Sequence, residues 1–250
     1  MKKIKLLVIS MLLLSFISLF NNKVIAEEKE RKIIFQSTVN LLEGEQIERI
    51  VLSGVEKEGS PFYEDVKLTV FDEKSGKLLY SITPNVNFGY QPKLSFIDFD
   101  LDGVMEVFYS AESGIVGGGG YFYVFGFNGK INTYYDFDLD KKPFTAKYQD
   151  YYKVSVKRGE KEFLIDICKK GNDYLNKIYT PNGKLQKQTL ASVSKVYSVI
   201  PYYNYAKNKH FIKVLRKVSG ENPNDCICYA NVDLELENYE FKQVKLSVEI

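Results

Sequence analysis

The sequence contains no tryptophan, a single histidine (His210) and three cysteines, and each shortage narrows the chemistry open to the chain. The chain has one histidine and no serine in a Gly-x-Ser-x-Gly elbow, so it offers few of the residues that a serine hydrolase needs. Cys226 and Cys228 stand at alternating, strand-like positions, and with one histidine elsewhere they make a poor zinc site. We therefore expect a binding or scaffold role rather than catalysis.

Three cysteines cannot all pair within one chain, so the sequence leaves the disulfide content open. One bridge from Cys168 to Cys226 or to Cys228 is compatible with an exported protein. The alternative is three unpaired, partly buried thiols. The sequence does not decide between them.

Long hydrophobic runs are absent except at the N-terminus, where basic residues precede an apolar stretch over 6–20 and a Val24-Ile25-Ala26 ending. This pattern predicts a signal peptide over 1–26, and the stretch is shorter than the roughly 20 residues of an uncleaved membrane anchor. We expect a secreted or cell-surface protein with no membrane insertion after cleavage. A charged leader over 27–32 and a single domain over 33–250 would follow.

Strong charge of either sign is also absent. The formal charge is +2, from 34 basic and 32 acidic residues, and removal of the four lysines before Ala26 reverses it to about −2. A nearly neutral chain lacks the electrostatic footprint of a nucleic-acid-binding protein.

What the sequence does contain is 19 tyrosines and 17 phenylalanines, arranged with β-branched residues in short alternating runs. Such runs predict strands and an all-β domain. They cover 66–70, 94–97, 107–109, 121–125 and 154–156.

Turn motifs recur between these runs, with glycines at Gly76, Gly129 and Gly183 and a weaker copy at Glu237-Asn238. A spacing of about 50 residues is the length of a four-stranded propeller blade. We predict about four such units in an incomplete or atypical propeller, with the glycine run 117–120 connecting two units. A β-sandwich is the alternative.

The loop over 98–106 is the most distinctive motif, with carboxylates at positions 1, 3, 5 and 9 and Gly103 at the sharp turn. Alternate acidic residues on a curled loop suit Ca²⁺, which takes six to eight oxygen ligands. A helical calcium hand is excluded, because its twelfth position is Tyr109 and its flanks are strand-like. The predicted ligands of one structural Ca²⁺ are Asp98, Asp100, Asp102, Glu106 and the carbonyl of Val104.

This loop, set between strands of a repeating β unit, resembles the calcium loop of FG-GAP/VCBS-type repeats. The stretches 90–94, 172–175 and 181–184 are similar to small secreted VCBS-repeat proteins of spore-forming Gram-positive bacteria. The resemblance implies a calcium-stabilised β scaffold and carries no agreed activity.

Two further segments echo the acidic loop without its ligands. A shift of 106 residues places Asn204 on Asp98 and Ile212 on Glu106, so that copy is expected to bind no metal. The run 136–140 repeats the acidic spacing, but Lys141 and Lys142 follow where a glycine is needed. We expect one calcium ion per chain.

The resulting expectation is a secreted or surface calcium-binding module whose partner is an unknown protein or a wall or spore polymer. Exposed tyrosines such as Tyr202, Tyr203 and Tyr205 could contact that partner, with strand packing as the alternative. A calcium-dependent extracellular hydrolase and a structural component of a spore coat or envelope are the alternative functions.

Overall fold

The computed structural model describes residues 30–44, 46–115, 118–138 and 143–250. The predicted signal peptide 1–26 lies outside the described residues, as do residues 27–29 of the predicted leader. The first strand begins at Arg31, so the leader predicted over 27–32 overlaps this strand at its last two positions. Among the described residues, no helix is long and apolar enough to cross a membrane.

Antiparallel strands make up most of the described chain, which confirms the all-β prediction, and every run predicted as a strand lies in one. Their bounds are β1 (Arg31–Val39), β2 (Glu48–Glu56), β3 (Phe62–Asp72), β4 (Leu78–Ile82), β5 (Gly89–Ile97), β6 (Glu106–Glu112), β7 (Gly120–Gly126), β8 (Asn132–Asp136), β9 (Thr145–Gln149), β10 (Lys153–Arg158), β11 (Lys161–Asp166), β12 (Leu190–Val193), β13 (Ser198–Asn204), β14 (Lys209–Ser219), β15 (Cys226–Glu237) and β16 (Glu240–Glu249). A 3₁₀ turn (Cys168–Lys170) and one short helix, α1 (Asn172–Ile178), follow β11.

Within the described ranges, these strands form two eight-stranded sheets rather than four-stranded blades. The first sheet has the order β1-β2-β3-β5-β6-β7-β8, with β4 also beside β3, and curls back until β1 contacts β5. The second has the order β11-β10-β9-β12-β14-β15-β16, with β13 also beside β14. The structure thus shows two antiparallel sheets and no propeller among the described residues.

The predicted turns occur, but they do not mark blades. The turns at Gly76, Gly129 and Asn238 each join consecutive strands of one sheet, whereas Gly183 follows α1 in a turn closed by an isolated bridge from Tyr179 to Leu185. Gly118 and Gly119 connect β6 to β7 inside the first sheet, not two units. Three of the four predicted turns are therefore hairpins within a sheet, and the spacing of the turns does not mark blades.

Residues that alternate along each strand explain how the strands bury their side chains. In β3, Val66, Leu68 and Val70 are each fully buried while the residues between them are half-buried. Burial of such a side chain contributes about 1.5–3 kcal/mol. Apolar residues of both sheets join in one core, which places the β5–β6 connection at its rim.

Candidate metal centre

The acidic loop connects β5 to β6 and is held closed by its own first residue. Asp98 Oδ1 accepts a hydrogen bond from the Leu101 amide at 2.6 Å, and Oδ2 accepts one from the Gly103 amide at 3.0 Å. Leu101 and Gly103 have positive φ angles of 66° and 88°. Glycine adopts this conformation without the steric cost that a side chain adds, so Gly103 suits the sharp bend.

Glu106 closes the loop from the first position of β6. Its side chain is 4% exposed, and its Oε2 accepts a hydrogen bond from the Phe99 amide at 2.9 Å. Burial, followed by the charges of the loop aspartates, raises the pKa of Glu106 to about 8, although the Phe99 amide acts in the opposite direction. Without a compensating cation, the ionised carboxylate is unfavourable here.

Asp98, Asp100 and Glu106 converge, with one carboxylate oxygen of each within 4.8 Å of the others. No donor among the described residues bonds the buried Oδ1 of Asp100. Burial, then the charges of Asp102 and Asp98, raises the pKa of Asp100 above its usual value. Since two oxygens each about 2.4 Å from one ion are at most about 4.8 Å apart, this spacing suits a shared cation.

Asp102 stands apart from the converging three. It is exposed, and its Oδ1 accepts a hydrogen bond from the Val104 amide at 2.8 Å. Val104 itself is half-buried. The structure thus brings together three of the four predicted carboxylates, and the roles predicted for Asp102 and for the Val104 carbonyl stay predictions.

Two residues from distant parts of the chain, neither of them predicted to contact the loop, brace it by hydrogen bonds. Asn40, after β1, donates from its side-chain Nδ2 to the Gly103 carbonyl, and its main-chain carbonyl accepts from the Met105 amide, both at 2.9 Å. His210 of β14 places Nδ1 3.0 Å from the Asp98 carbonyl. No local sequence signal identifies either residue, because each contact joins segments far apart in the chain.

Phe99 anchors the loop to the core. Its ring is fully buried and packs edge-on against Phe241 of β16, with ring centroids 5.2 Å apart. Its centroid also lies 6.3 Å from that of His210. The loop of the first sheet is therefore fixed against two strands of the second sheet.

An open cleft of about 500 Å³ lies on the solvent side of Asp100. Its other walls come from Lys209 of β14 and from the β15–β16 turn, including Glu237, Asn238 and Tyr239. Solvent or a small ligand can therefore approach the acidic loop from this side.

The β1–β2 connection repeats the closing contact of the acidic loop. Glu48, fully buried, accepts a hydrogen bond from the Leu41 amide at 2.9 Å, just as Glu106 does from Phe99 seven residues earlier. Leu42 stands where the acidic loop has Asp100, so this copy lacks a matching carboxylate. The equal spacing of Asn40 to Glu48 and of Asp98 to Glu106 is a sequence signal that could have identified this copy.

Of the two segments predicted to echo the loop, the structure describes the one over 204–212 in full and the one over 136–140 in part. Asn204 Oδ1 accepts hydrogen bonds from the Ala206 and Lys207 amides, which reproduces the Asp98 turn without a charge. In the run 136–140, Asp136 Oδ1 accepts from the Asp138 amide at 3.0 Å, and residues 139 and 140 lie outside the described residues.

The three cysteines are unpaired, as in the second alternative of the sequence analysis. Cys168 is exposed, Cys226 is half-buried and Cys228 is buried. Burial raises the pKa of the Cys228 thiol to about 12, which makes it unreactive at neutral pH.

Comparison with known proteins gives one family and one relative. Residues 142–249 match the family model of the YybI C-terminal domain, a region that spans β9 to β16 and excludes the acidic loop. The chain is 25% identical over 200 residues to the uncharacterised protein YybI of Bacillus subtilis (strain 168), covering 78% of this chain and 76% of YybI. No solved structure matches. These matches do not support the predicted FG-GAP or VCBS resemblance. The chain is similar to the uncharacterised YybI, and its residues 142–249 are similar to the YybI C-terminal domain.

Proposed function

We propose that this protein is an exported calcium-binding β module in which one structural Ca²⁺ fixes the β5–β6 loop. The ligands are Asp98, Asp100, Asp102, Glu106 and the carbonyl of Val104. The proposal rests chiefly on the convergence of Asp98, Asp100 and the buried Glu106 within 4.8 Å. The alternation of acidic residues before Gly103 supports the choice of ion.

Charge favours a divalent cation at this position. Three carboxylates at this spacing repel one another, and burial adds a cost for each ionised oxygen. Hard oxygen ligands with no sulfur or imidazole nitrogen in the set are typical of calcium rather than zinc.

A structural ion would link the two sheets. The loop belongs to the first sheet, whereas His210 and Phe241 belong to the second. Calcium would hold the loop in the conformation that presents Phe99 to Phe241. We therefore assign the ion to stability and the protein to a binding or scaffold role outside the cytoplasm, toward a protein or a wall or spore polymer.

Thermal unfolding in calcium and in chelator tests the proposal. With free calcium about 100-fold above Kd, mass action adds about 2.7 kcal/mol to the free energy of unfolding. For a domain of this size that corresponds to a rise in Tm of about 5–10 °C. An unchanged Tm would refute the structural ion, and Asp173→Asn, an exposed acid on α1, is the matched control.

The cleft beside Asp100 favours one second candidate, a calcium-dependent hydrolase, because a catalytic ion keeps a position open to water. The two functions separate on Asp100→Asn. A hydrolase loses turnover while its Tm changes little, whereas a structural site loses its calcium-dependent rise in Tm.

A further inference from the structure

Another cleft, of about 280 Å³, lies between the two sheets, and no residue of the acidic loop lines it. Tyr121 on β7 and Phe137 after β8 form its first wall, with ring centroids 5.4 Å apart. Val193 at the end of β12, Val196 beyond it and Pro223 between β14 and β15 form the second wall. This volume lies just below the roughly 300–1,000 Å³ of typical small-molecule sites, so the cleft suits one small ligand.

The two walls offer a ligand apolar surface. Phe137 and Val196 are buried in the core, whereas Tyr121 and Val193 are half-buried and pack against it. Ile115, also in the lining, is 66% exposed, so the cleft is open to solvent beside this residue. A hydrocarbon group that covers these walls removes apolar surface from water, which favours its binding.

Gly118 and Gly119, between β6 and β7, form one edge of the cleft. A Cβ atom at Gly118 would overlap the Tyr197 ring, and one at Gly119 would lie 3.3 Å from the Val196 carbonyl oxygen. Both glycines have positive φ angles, of 87° and 124°, which glycine adopts at low cost. Because these positions carry no side chain, the main chain lies next to Val196 and Tyr197 without filling the cleft.

Four serine hydroxyls in the lining are already used as donors. Each lies 2.7–3.4 Å from a main-chain carbonyl oxygen and donates to it. They belong to Ser113, Ser192, Ser194 and Ser219. A neutral polar ligand such as a sugar would have to break one of these hydrogen bonds to gain a hydroxyl donor, which argues against that class of ligand.

Two lysines supply positive charge at the rim of the cleft. Lys195 is exposed and Lys217 of β14 is half-buried, and both line the cleft. Within the part of the chain that the structure describes, no carboxylate side chain lines the cleft and neither lysine has an acidic partner. Lys213, one turn of the pleat earlier on the same face of β14, does have one, Glu249 at 2.8 Å. Unpaired ammonium groups on flexible stems beside an apolar cleft favour a ligand with an anionic group.

We propose that this cleft binds a single-chain amphiphile with an anionic head, such as a medium-chain alkyl carboxylate or alkyl phosphate. The hydrocarbon chain lies between the Tyr121–Phe137 wall and the Val193–Val196 wall, and the head accepts hydrogen bonds from the ammonium groups of Lys195 and Lys217. This inference goes beyond the proposed function, because the cleft shares no residue with the calcium site.

Calorimetric titration of the purified protein with decanoate and with decyl phosphate, each below its micelle concentration, tests the site. We expect a Kd of about 100 μM or tighter for at least one of them, and the comparison shows which head the site prefers. Uncharged 1-decanol and cationic decyltrimethylammonium should bind about tenfold more weakly, because they lose the attraction to two lysines. Methyl NMR locates the ligand: the resonances of Val193 and Val196 should shift, and that of Val244, an exposed residue of β16, should not.

Two substitutions at the rim test the head group. Lys195→Gln combined with Lys217→Gln should weaken binding of the anionic probe about tenfold with unchanged Tm, since neither lysine is buried. The matched control is Lys207→Gln, which removes an exposed lysine of the β13–β14 turn outside the cleft and should bind as the parent does.

No binding of either anionic probe at about 1 mM would overturn the proposal. So would 1-decanol binding as tightly as the anionic probes, a double lysine variant that binds as the control does, or shifts confined to Val244. Because the titrations are carried out in chelator, their failure would leave the effect of calcium on Tm, and with it the proposed calcium site, unaffected.

Discussion

Replacing Asp100 by asparagine should change stability in opposite directions with and without calcium. Asp100 shares the site with Asp98 and Glu106, and burial and neighbouring charges raise its pKa. In chelator the substitution removes one of three mutually repelling carboxylates. The variant should then gain stability, by about 0.5–1 kcal/mol after solvent screening of this half-exposed group.

In calcium the variant should instead be less stable than the parent. The variant loses one charged ligand, so it loses most of the roughly 2.7 kcal/mol that the ion adds when free calcium is about 100-fold above Kd. Its Tm should therefore lie about 4–8 °C below that of the parent in calcium and slightly above it in chelator.

Urea denaturation followed by far-ultraviolet circular dichroism, at fixed ionic strength, measures both free energies. Asp173→Asn again serves as the control, because this exposed acid lies on α1 outside the converging three. A variant that is less stable than the parent by the same amount in both buffers would refute the reasoning, since it would show that Asp100 acts through hydrogen bonding or packing and not through a cation.

Three further predictions concern the surroundings of the loop. Asn40→Ala removes the side-chain bond to the Gly103 carbonyl and should lower calcium affinity about tenfold in a calorimetric titration; unchanged affinity would contradict a bracing role. Phe99→Ala leaves the ligands in place but empties a fully buried site, so it should cost about 3–5 kcal/mol in calcium and in chelator alike. Because the pKa of Glu106 is raised from 4.5 to about 8 in the folded protein, its contribution to metal-free stability is fully present below pH 4.5 and is lost as pH rises through 8. Glu106→Gln should flatten that fall in a series of melts in chelator, and an equally steep fall in the variant would be the contrary result.

The sequence was informative where structure depends on neighbouring residues. The alternating runs predicted strands correctly, because side chains of a strand alternate between its two faces. Asp98, Asp100 and Glu106 converge because all three lie within one nine-residue loop whose bend is set locally by Gly103. These features require no knowledge of distant contacts.

The errors arose where distant segments decide the outcome. Turn spacing does not reveal whether successive hairpins extend one sheet or start a new blade, since that depends on pairings such as Leu190 with Lys147 across α1. Asn40 and His210, which brace the loop, contact it from segments that are distant in sequence. The role predicted for Asp102 stays a prediction, since its side chain lies apart from the converging three and accepts a hydrogen bond from the Val104 amide.

Native mass spectrometry of the purified protein, with and without calcium, is the most direct measurement of the central claim. A single calcium ion per chain that is lost in Asp100→Asn and in Glu106→Gln, and retained in Asp173→Asn, is the predicted result. No bound ion at millimolar calcium, or an ion that persists in both loop variants, would contradict it.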